Sequence, residues 1–300
     1  MGKIMAAVSG DKIATKISLP APAKLNLTLE VLAWRKDGYH DIRSIIQAIS
    51  LGDKINFSPG NVIDIKCNNF AWRLEESLVS KAVVLLDEVN GRHMGATIRI
   101  DKKIPLLSGL GGDSSDAAAV LKGLNRLWEL GLTRWQLAEM AQQLGSDVSF
   151  FIFGGTAMVE GKGEVVTLLP ALNRLWAVLL IPPVAREKGK TGRLYKSLGE
   201  KDFTDGTITD ELMIAMNDGR EPPSSGLYNV FEKTAFDIFD RLDEFRWRFL
   251  EAGAYQVGLA GSGPTLYSLI DDGKKAEKIY QNLKKKDFEV YLAETICPLE

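Results

Sequence analysis

Three stretches of this chain combine residue types and spacing that chemistry could use. The first is Pro105-Leu106-Leu107-Ser108-Gly109-Leu110-Gly111-Gly112-Asp113-Ser114-Ser115. Glycines let a backbone approach a ligand closely, and consecutive free N–H groups form an anion nest. A helix follows directly. Ala117, Val120, Leu121, Leu124, Leu127 and Trp128 recur at helical spacing, which predicts an amphipathic helix over Ser115 to Leu130 with Ser114 or Ser115 as its N-cap. Its positive end would aim further N–H groups at the same place, an assembly that suits a nucleotide triphosphate. The loop contains no Walker Gly-x-x-x-x-Gly-Lys-Ser/Thr. It also fails the dinucleotide fingerprint, because Ser114 stands where a third glycine is needed. Read alone, it serves equally well as a flexible turn into a helix.

The other two stretches each offer one charged group. Asp147 follows Gly145, the expected C-cap of a helix that opens on the capping box Thr133-x-x-Gln136, and it precedes the apolar run Val148 to Phe153. A carboxylate there could orient or deprotonate a hydroxyl, or simply cap a short helix. Lys24 opens an alternating strand in which Lys24, Asn26 and Thr28 share one face and Leu25, Leu27 and Leu29 the other. Phosphoryl transfer needs such a cation and such a carboxylate. Singly, the two read first as a helix cap and a solvated strand edge, and neither rises above background.

The elements that must position these groups are legible in outline. Asp37-Gly38 predicts a turn between strands Leu25 to Trp34 and Tyr39 to Ile49. Further strands are expected at Lys54 to Phe57, Val62 to Cys67 and Ala96 to Asp101, with a helix over Ser77 to Glu88. Beyond Pro170 the pattern reads strand (Trp176 to Ile181), helix (near Lys190 to Leu198), helices around Tyr228 to Ala252, strands Ala254 to Leu259 and Pro264 to Ile270, helix Gly273 to Lys284 and strand Phe288 to Leu292. Strands interleaved with helices indicate an α+β sandwich. The polar, Gly- and Pro-containing segment Gly199 to Ser225 is expected to be a long connection. The chain divides into an extension (1–18), a first domain (19–170) and a second (171–300).

Composition narrows the class. A 300-residue chain with 45% hydrophobic residues and a formal net charge of −2 has no basic excess for nucleic acid or a membrane surface. Cys67 and Cys297 make no disulfide framework, and His40 and His93 alone supply neither a histidine-rich metal site nor a Ser-His-Asp triad. The apolar stretch Ile4 to Val8 is shorter than a signal peptide requires, and no run reaches membrane-span length. The expectation is a soluble cytoplasmic protein of unassigned oligomeric state.

Four motifs together resemble one superfamily. Pro22-Ala-Lys-Leu-Asn-Leu27, Pro105-x-x-x-Gly-Leu-Gly-Gly-x-Ser-Ser115, Leu144-Gly-Ser-Asp-Val148 and Gly261-Ser-Gly-Pro-Thr265 stand in the order and rough spacing of the galactokinase, homoserine kinase, mevalonate kinase and phosphomevalonate kinase (GHMP) superfamily. Asp37-Gly-Tyr-His40 and Leu51-Gly-Asp-Lys54 are similar to the branch whose acceptor is a cytidine-diphosphate-linked methylerythritol. The resemblance covers nearly all of the chain from about Leu19.

It implies an α+β, two-domain fold: an N-terminal α/β domain holding ATP, a C-terminal ferredoxin-like domain, and an active site in the cleft between them. ATP with Mg²⁺ would be the cofactors, with no assigned metal ligands, and a 2-hydroxyl of the small-molecule substrate the acceptor. Asp147 would be the base, Lys24 its partner and Asn26 a holder of the acceptor end. Tyr39 would stack on the cytosine and His40 would hydrogen-bond it. Thr191, in Gly189-Lys-Thr191, is implied as a substrate contact. Gly261, Ser262 and Gly263 are implied as a second backbone nest beside the phosphates. The chain departs from the family at Asp113, where a third glycine is usual. A carboxylate there either points away from the triphosphate or contacts Mg²⁺. Asp116 reads as a complement to the helix dipole. The alternatives are a homoserine- or mevalonate-type kinase, which would have no use for Asp-Gly-Tyr-His, and a nucleotide sensor without turnover, which would need neither Lys24 nor Asp147.

Overall fold

A computed structural model describes residues 16–91, 93–218 and 226–298. The expectation for the first fifteen residues, and for 219–225 of the polar connection, lies outside the described residues. The architecture is organised on one long strand, β3 (His40–Gly60), which pairs antiparallel with β1 (Ile17–Asn26), β2 (Thr28–Trp34), β5 (Gly95–Asp101) and β6 (Thr156–Gly161). The two strands expected at Tyr39 to Ile49 and Lys54 to Phe57 are therefore one. A register shift lets it run on: Pro22 faces Gly52 while Ala23 faces Ile49, so Ser50 and Leu51 bulge out and the strand bends instead of ending. The turn at Asp37-Gly38 forms as expected, with Trp34 opposite His40. The single run expected from Leu25 to Trp34 is broken at Leu27, whose N–H donates to Ile45 O at 2.7 Å.

β4 (Ile63–Cys67) and β7 (Val165–Leu168) complete this sheet with β9 (Tyr228–Asn229), which joins β2 in parallel. The sheet packs on α1 (Leu78–Asn90), α2 (Gly112–Leu127), α3 (Arg134–Ala141) and α4 (Val148–Phe153). Phe57, Val79, Leu121, Leu124, Phe150 and Phe151 are all within this core and buried. The Thr133/Gln136 capping box opens α3 as expected, and Leu137, Ala138, Met140 and Ala141 are buried, but the helix ends at Ala141 with Gln142 as its C-cap, short of the Gly145 expected there.

A second sheet, all antiparallel, has the order β10-β11-β8-β12, formed by β8 (Trp176–Ile181), β10 (Gly258–Leu259), β11 (Leu266–Ile270) and β12 (Glu289–Glu294). This is the ferredoxin-like arrangement implied by the resemblance. Strand β8 is an unbroken apolar run because both of its faces are covered. Val178 and Leu180 join α5 (Lys190–Ser197), α7 (Glu232–Ile238), α8 (Leu242–Glu251) and α9 (Gly273–Lys284) in one core. Ala177, Leu179 and Ile181 meet Ala23, Leu25, Ile49, Ile104 and Leu110 of the first half in another. That shared core brings the glycine loop and β1 against the second sheet. Within the segment expected as an irregular connection, Thr207–Asn217 is helical (α6), with Leu212 and Met216 packed on Leu27 and Ile45. Among the described residues, no helix is long and apolar enough to cross a membrane.

Candidate active site

Lys24 and Asn26 leave β1 on the same face, as the period of two requires, and both are buried. Lys24 Nζ donates to Asn26 Oδ1 at 2.6 Å and lies 3.4 Å from Asp147 Oδ2. Asn26 is itself fixed: Nδ2 donates to Ser44 Oγ at 2.9 Å, and its carbonyl accepts from the buried Tyr267 hydroxyl at 2.7 Å. Asp147 holds the N-cap position of α4 yet makes no side-chain capping bond. The carboxylate is turned to Lys24 instead, and with a third of its side chain exposed it remains open to an incoming group. The capping alternative therefore fails on geometry.

The glycine loop runs from β5 into α2, and that helix starts earlier than its hydrophobic face indicated. Gly111, with φ of 75°, is the N-cap, so Gly112 to Ser115 form the first helical turn and neither Ser114 nor Ser115 caps it. A left-handed glycine replaces the side-chain cap, which leaves the N–H groups of that turn without a side-chain acceptor. Contact also demands glycine here. A Cβ on Gly109 would stand 2.2 Å from Ala260 O, and one on Gly111 would stand 2.9 Å from the Phe151 ring. The loop is tied to its neighbours by Lys24 N–H to Leu110 O at 3.0 Å and Thr265 N–H to Ser108 O at 3.3 Å. Pro105, Leu106 and Leu107 lead into it, with Leu107 partly exposed. Asp113 takes the first of its two alternatives and points away. It accepts from the Ser77 hydroxyl and from Leu78 N–H at 2.9 Å, capping α1. Asp116 does more than complement a dipole: with Asp53 it brackets the buried Lys102 Nζ, at 2.7 and 2.6 Å.

Gly261, Ser262 and Gly263 come up against this loop. A Cβ on Gly261 would lie 2.8 Å from Gly109 O and 3.1 Å from Lys24 Nζ. Thr191, at the start of α5, shares a hydrogen bond of 2.8 Å with Ser262 Oγ. Lys24, Asn26, Asp147, both glycine turns and Thr191 thus converge. Tyr39 and His40 part company. Tyr39 is exposed, with the Lys162 ammonium 4.9 Å above its ring. His40 is buried between Trp34 and Tyr195, at ring separations of 3.8 and 4.9 Å. Its Nε2 has no partner, and burial lowers its pKa. Tyr195 links the two regions. Burial pushes its phenol up, and the negative charge of Asp147 pushes the same way.

Sequence reasoning missed Tyr195, Lys190, Ser44 and Tyr267. Lys190 and Tyr195 flank Thr191 on one short helix, and their place beside the Gly189-Lys-Thr191 segment is the available signal. Ser44 and Tyr267 announce nothing locally, since each acts from a strand paired at long range. Ser115 Oγ and Thr265 Oγ1 are likewise buried without partners at the glycine turns.

Residues 77–155 match the N-terminal domain of GHMP kinases and residues 209–289 match the GHMP kinases C-terminal domain. The chain belongs to the GHMP kinase family. Among relatives of this GHMP kinase, the 4-diphosphocytidyl-2-C-methyl-D-erythritol kinase of Dehalococcoides mccartyi (strain ATCC BAA-2266 / KCTC 15142 / 195) is 54% identical over 284 residues, covering 95% of the chain and 100% of the relative. The enzyme of the same name from Listeria innocua is 36% identical, with 92% and 95% covered. A crystal structure of 4-(cytidine 5'-diphospho)-2C-methyl-D-erythritol kinase superposes with a TM-score of 0.78 at 31% identity, covering 93% of this GHMP kinase and 99% of the other chain. Homoserine kinase from Cytophaga hutchinsonii shares the fold, with a TM-score of 0.75 at 20% identity over 97% of this chain and 98% of that one.

Proposed function

We propose that this GHMP kinase transfers the γ-phosphoryl group of ATP to the 2-hydroxyl of 4-diphosphocytidyl-2-C-methyl-D-erythritol. The observation that carries the chemistry is the cluster of buried Lys24 and Asn26 with the partly exposed Asp147, beside two glycine turns. Asp147 accepts the hydroxyl proton, and Lys24 offsets the negative charge that grows on the alkoxide and the moving phosphoryl group. Asn26, clamped by Ser44 and Tyr267, fixes the Lys24 ammonium and the acceptor end. The N–H groups of Gly109 to Ser114 cradle the triphosphate. Mg²⁺, bound with the nucleotide, would supply further charge neutralisation. Ser115, whose buried hydroxyl has no partner, is the side chain that would help to hold it.

The acceptor choice rests on the relatives and on His40. A buried, neutral imidazole with one free nitrogen, stacked against Tyr195 and tilted against Trp34, suits a pyrimidine edge. Tyr39 would supply a stacking face on closing over the base, and Thr191 with Ser262 would line the approach. We place the division between the nucleotide half and the C-terminal half near residue 170, and read the chain as a cytoplasmic enzyme. The test is ADP release from Mg²⁺-ATP with 4-diphosphocytidyl-2-C-methyl-D-erythritol, homoserine and mevalonate as separate acceptors. Turnover with the cytidyl acceptor alone is expected; turnover with another acceptor would discard the cytosine pocket.

A further inference from the structure

One buried charge near the site has no role in the chemistry above. Lys190 is the first residue of α5 and is only 6% exposed. Its Nζ donates to Leu107 O at 3.1 Å and to Gly263 O, one carbonyl from each glycine turn. Arg186, a few residues earlier, donates to the adjacent Leu106 O at 3.3 Å. Two consecutive carbonyls of the nucleotide loop are therefore gripped by cations from the C-terminal half, and Lys190 alone spans both turns.

The charges around Lys190 are unfavourable to it. On its own segment it faces Arg186, whose other guanidinium nitrogen lies 3.5 Å from Glu289. Across the cleft it faces Lys24, whose carboxylate partner is Asp147. From the C-terminal end of α7 it meets the Phe239 ring, 5.5 Å away. It also sits at the positive end of α5. Among the described residues no carboxylate pairs with it. Burial, Arg186 and Lys24 accordingly bring its pKa down to about 8. Such a lysine is half-neutral near pH 8, and an arriving anion tips it back toward the ammonium. At an effective dielectric near 20, one negative charge about 10 Å away raises such a pKa by about one unit.

We propose that Lys190 is a proton-controlled latch: binding of a nucleoside triphosphate draws a proton onto Lys190, and the ammonium then locks the Pro105–Gly111 loop to the Gly261–Gly263 turn. This rests on the nucleotide reading of the loop. It makes Lys190 a positioning residue, acting through the two turns instead of touching the reacting atoms.

Calorimetric titration with Mg²⁺-ATP, without acceptor, tests it at pH 8 in two buffers of different ionisation enthalpy. The wild type is expected to take up about half a proton per site, a measurement that needs no variant to fold. Lys190→Arg keeps the cation at every pH and should take up none; Lys190→Met should take up none and bind more weakly. Between pH 7 and pH 9.5 the wild-type affinity should weaken about tenfold relative to Lys190→Arg, following a one-unit rise in pKa. ATP binding without proton uptake in the wild type, or with the same uptake in both variants, overturns the latch while leaving the kinase reading intact. Proton uptake as expected, with no acceptor turned over, would support the latch and count against the proposed reaction.

Discussion

Lys24→Met is the substitution that most directly probes the reacting centre. Methionine keeps the length and the apolar stem but removes a buried ammonium 3.4 Å from Asp147 and 2.6 Å from Asn26 Oδ1. At an effective dielectric of 20, two unit charges at that separation attract by about 5 kcal/mol, an upper bound for the pair. The Asp147 side chain is a third exposed, so water screens part of it. Only the portion that grows in the transition state appears in kcat. Removing a pre-positioned donor of this kind costs about 10²–10³ in kcat, roughly 3–4 kcal/mol, which fits inside the bound. The expected result is a kcat for the cytidyl acceptor down by 10²–10³, with the ATP dissociation constant changed by less than about threefold. Coupled ADP release gives the first quantity and calorimetry the second. A variant that keeps more than a tenth of the wild-type kcat would refute the assignment of Lys24, and so would an equal loss in ATP affinity.

Three further outcomes follow from the same geometry. Asp147→Asn keeps the backbone position at the start of α4 but removes the proton acceptor, so kcat should fall by about 10²–10⁴ with the melting temperature preserved; a rate above a tenth of wild type would rule out the base. His40→Ala should raise KM for the cytidyl acceptor while leaving that for ATP unchanged, and in the wild type the same KM should climb as pH falls below 6.5, because burial keeps the ring neutral until acid forces a charge on it; equal shifts in both constants would exclude the pocket. Lys122, buried against Phe151 O at 3.0 Å, is brought down to about 7 by burial and by Arg134 and Arg126, so from pH 7 to its unfolded value of 10.5 the unfolded chain binds more protons and stability rises with pH. Urea unfolding should show wild type gaining about 2–3 kcal/mol on Lys122→Met between pH 7 and pH 9; parallel curves would show that Lys122 is not the group responsible.

What the sequence disclosed depended on how local the physics was. The Thr133/Gln136 box, the hairpin at Asp37-Gly38 and strand Trp176–Ile181 are settled within a few residues, and all three appear where expected. The misreadings arise where distant contacts override local signals. Leu51-Gly-Asp53 looks like a break, yet β1 pairs across it and holds β3 together through a bulge. The Gly199–Ser225 stretch looks irregular, yet Leu212 and Met216 find Leu27 and Ile45 and stabilise α6. The start of α2 was misplaced because the eye looks for a serine cap, whereas Gly111 provides one by conformation. In the site, Lys24, Asn26 and Asp147 came forward through the motifs that carry the family resemblance, whereas Lys190 had only its place beside Thr191 to set it apart from an ordinary solvated lysine at the start of a helix.

The distribution of charge around the glycine loop explains why these groups sit where they do. Behind the first turns of α2, Asp53 and Asp116 share one buried ammonium, Lys102, leaving an excess of negative charge under the helix. Burial and Asp53 raise the pKa of Asp116, while the Lys102 ammonium opposes the shift. In front of the loop the imbalance is reversed: among the described residues Lys24 has one carboxylate, and Lys190 has none. An enzyme that bound only a neutral ligand would gain nothing from burying an unpaired ammonium among carbonyls, since burial of such a group costs several kcal/mol. A polyanion changes that balance, because the charge it brings in is the partner Lys190 lacks. The same argument accounts for Asp113. A carboxylate on the triphosphate side would oppose the ligand, and its two hydrogen bonds to the start of α1 hold it on the far side, so the loop tolerates aspartate where glycine is usual.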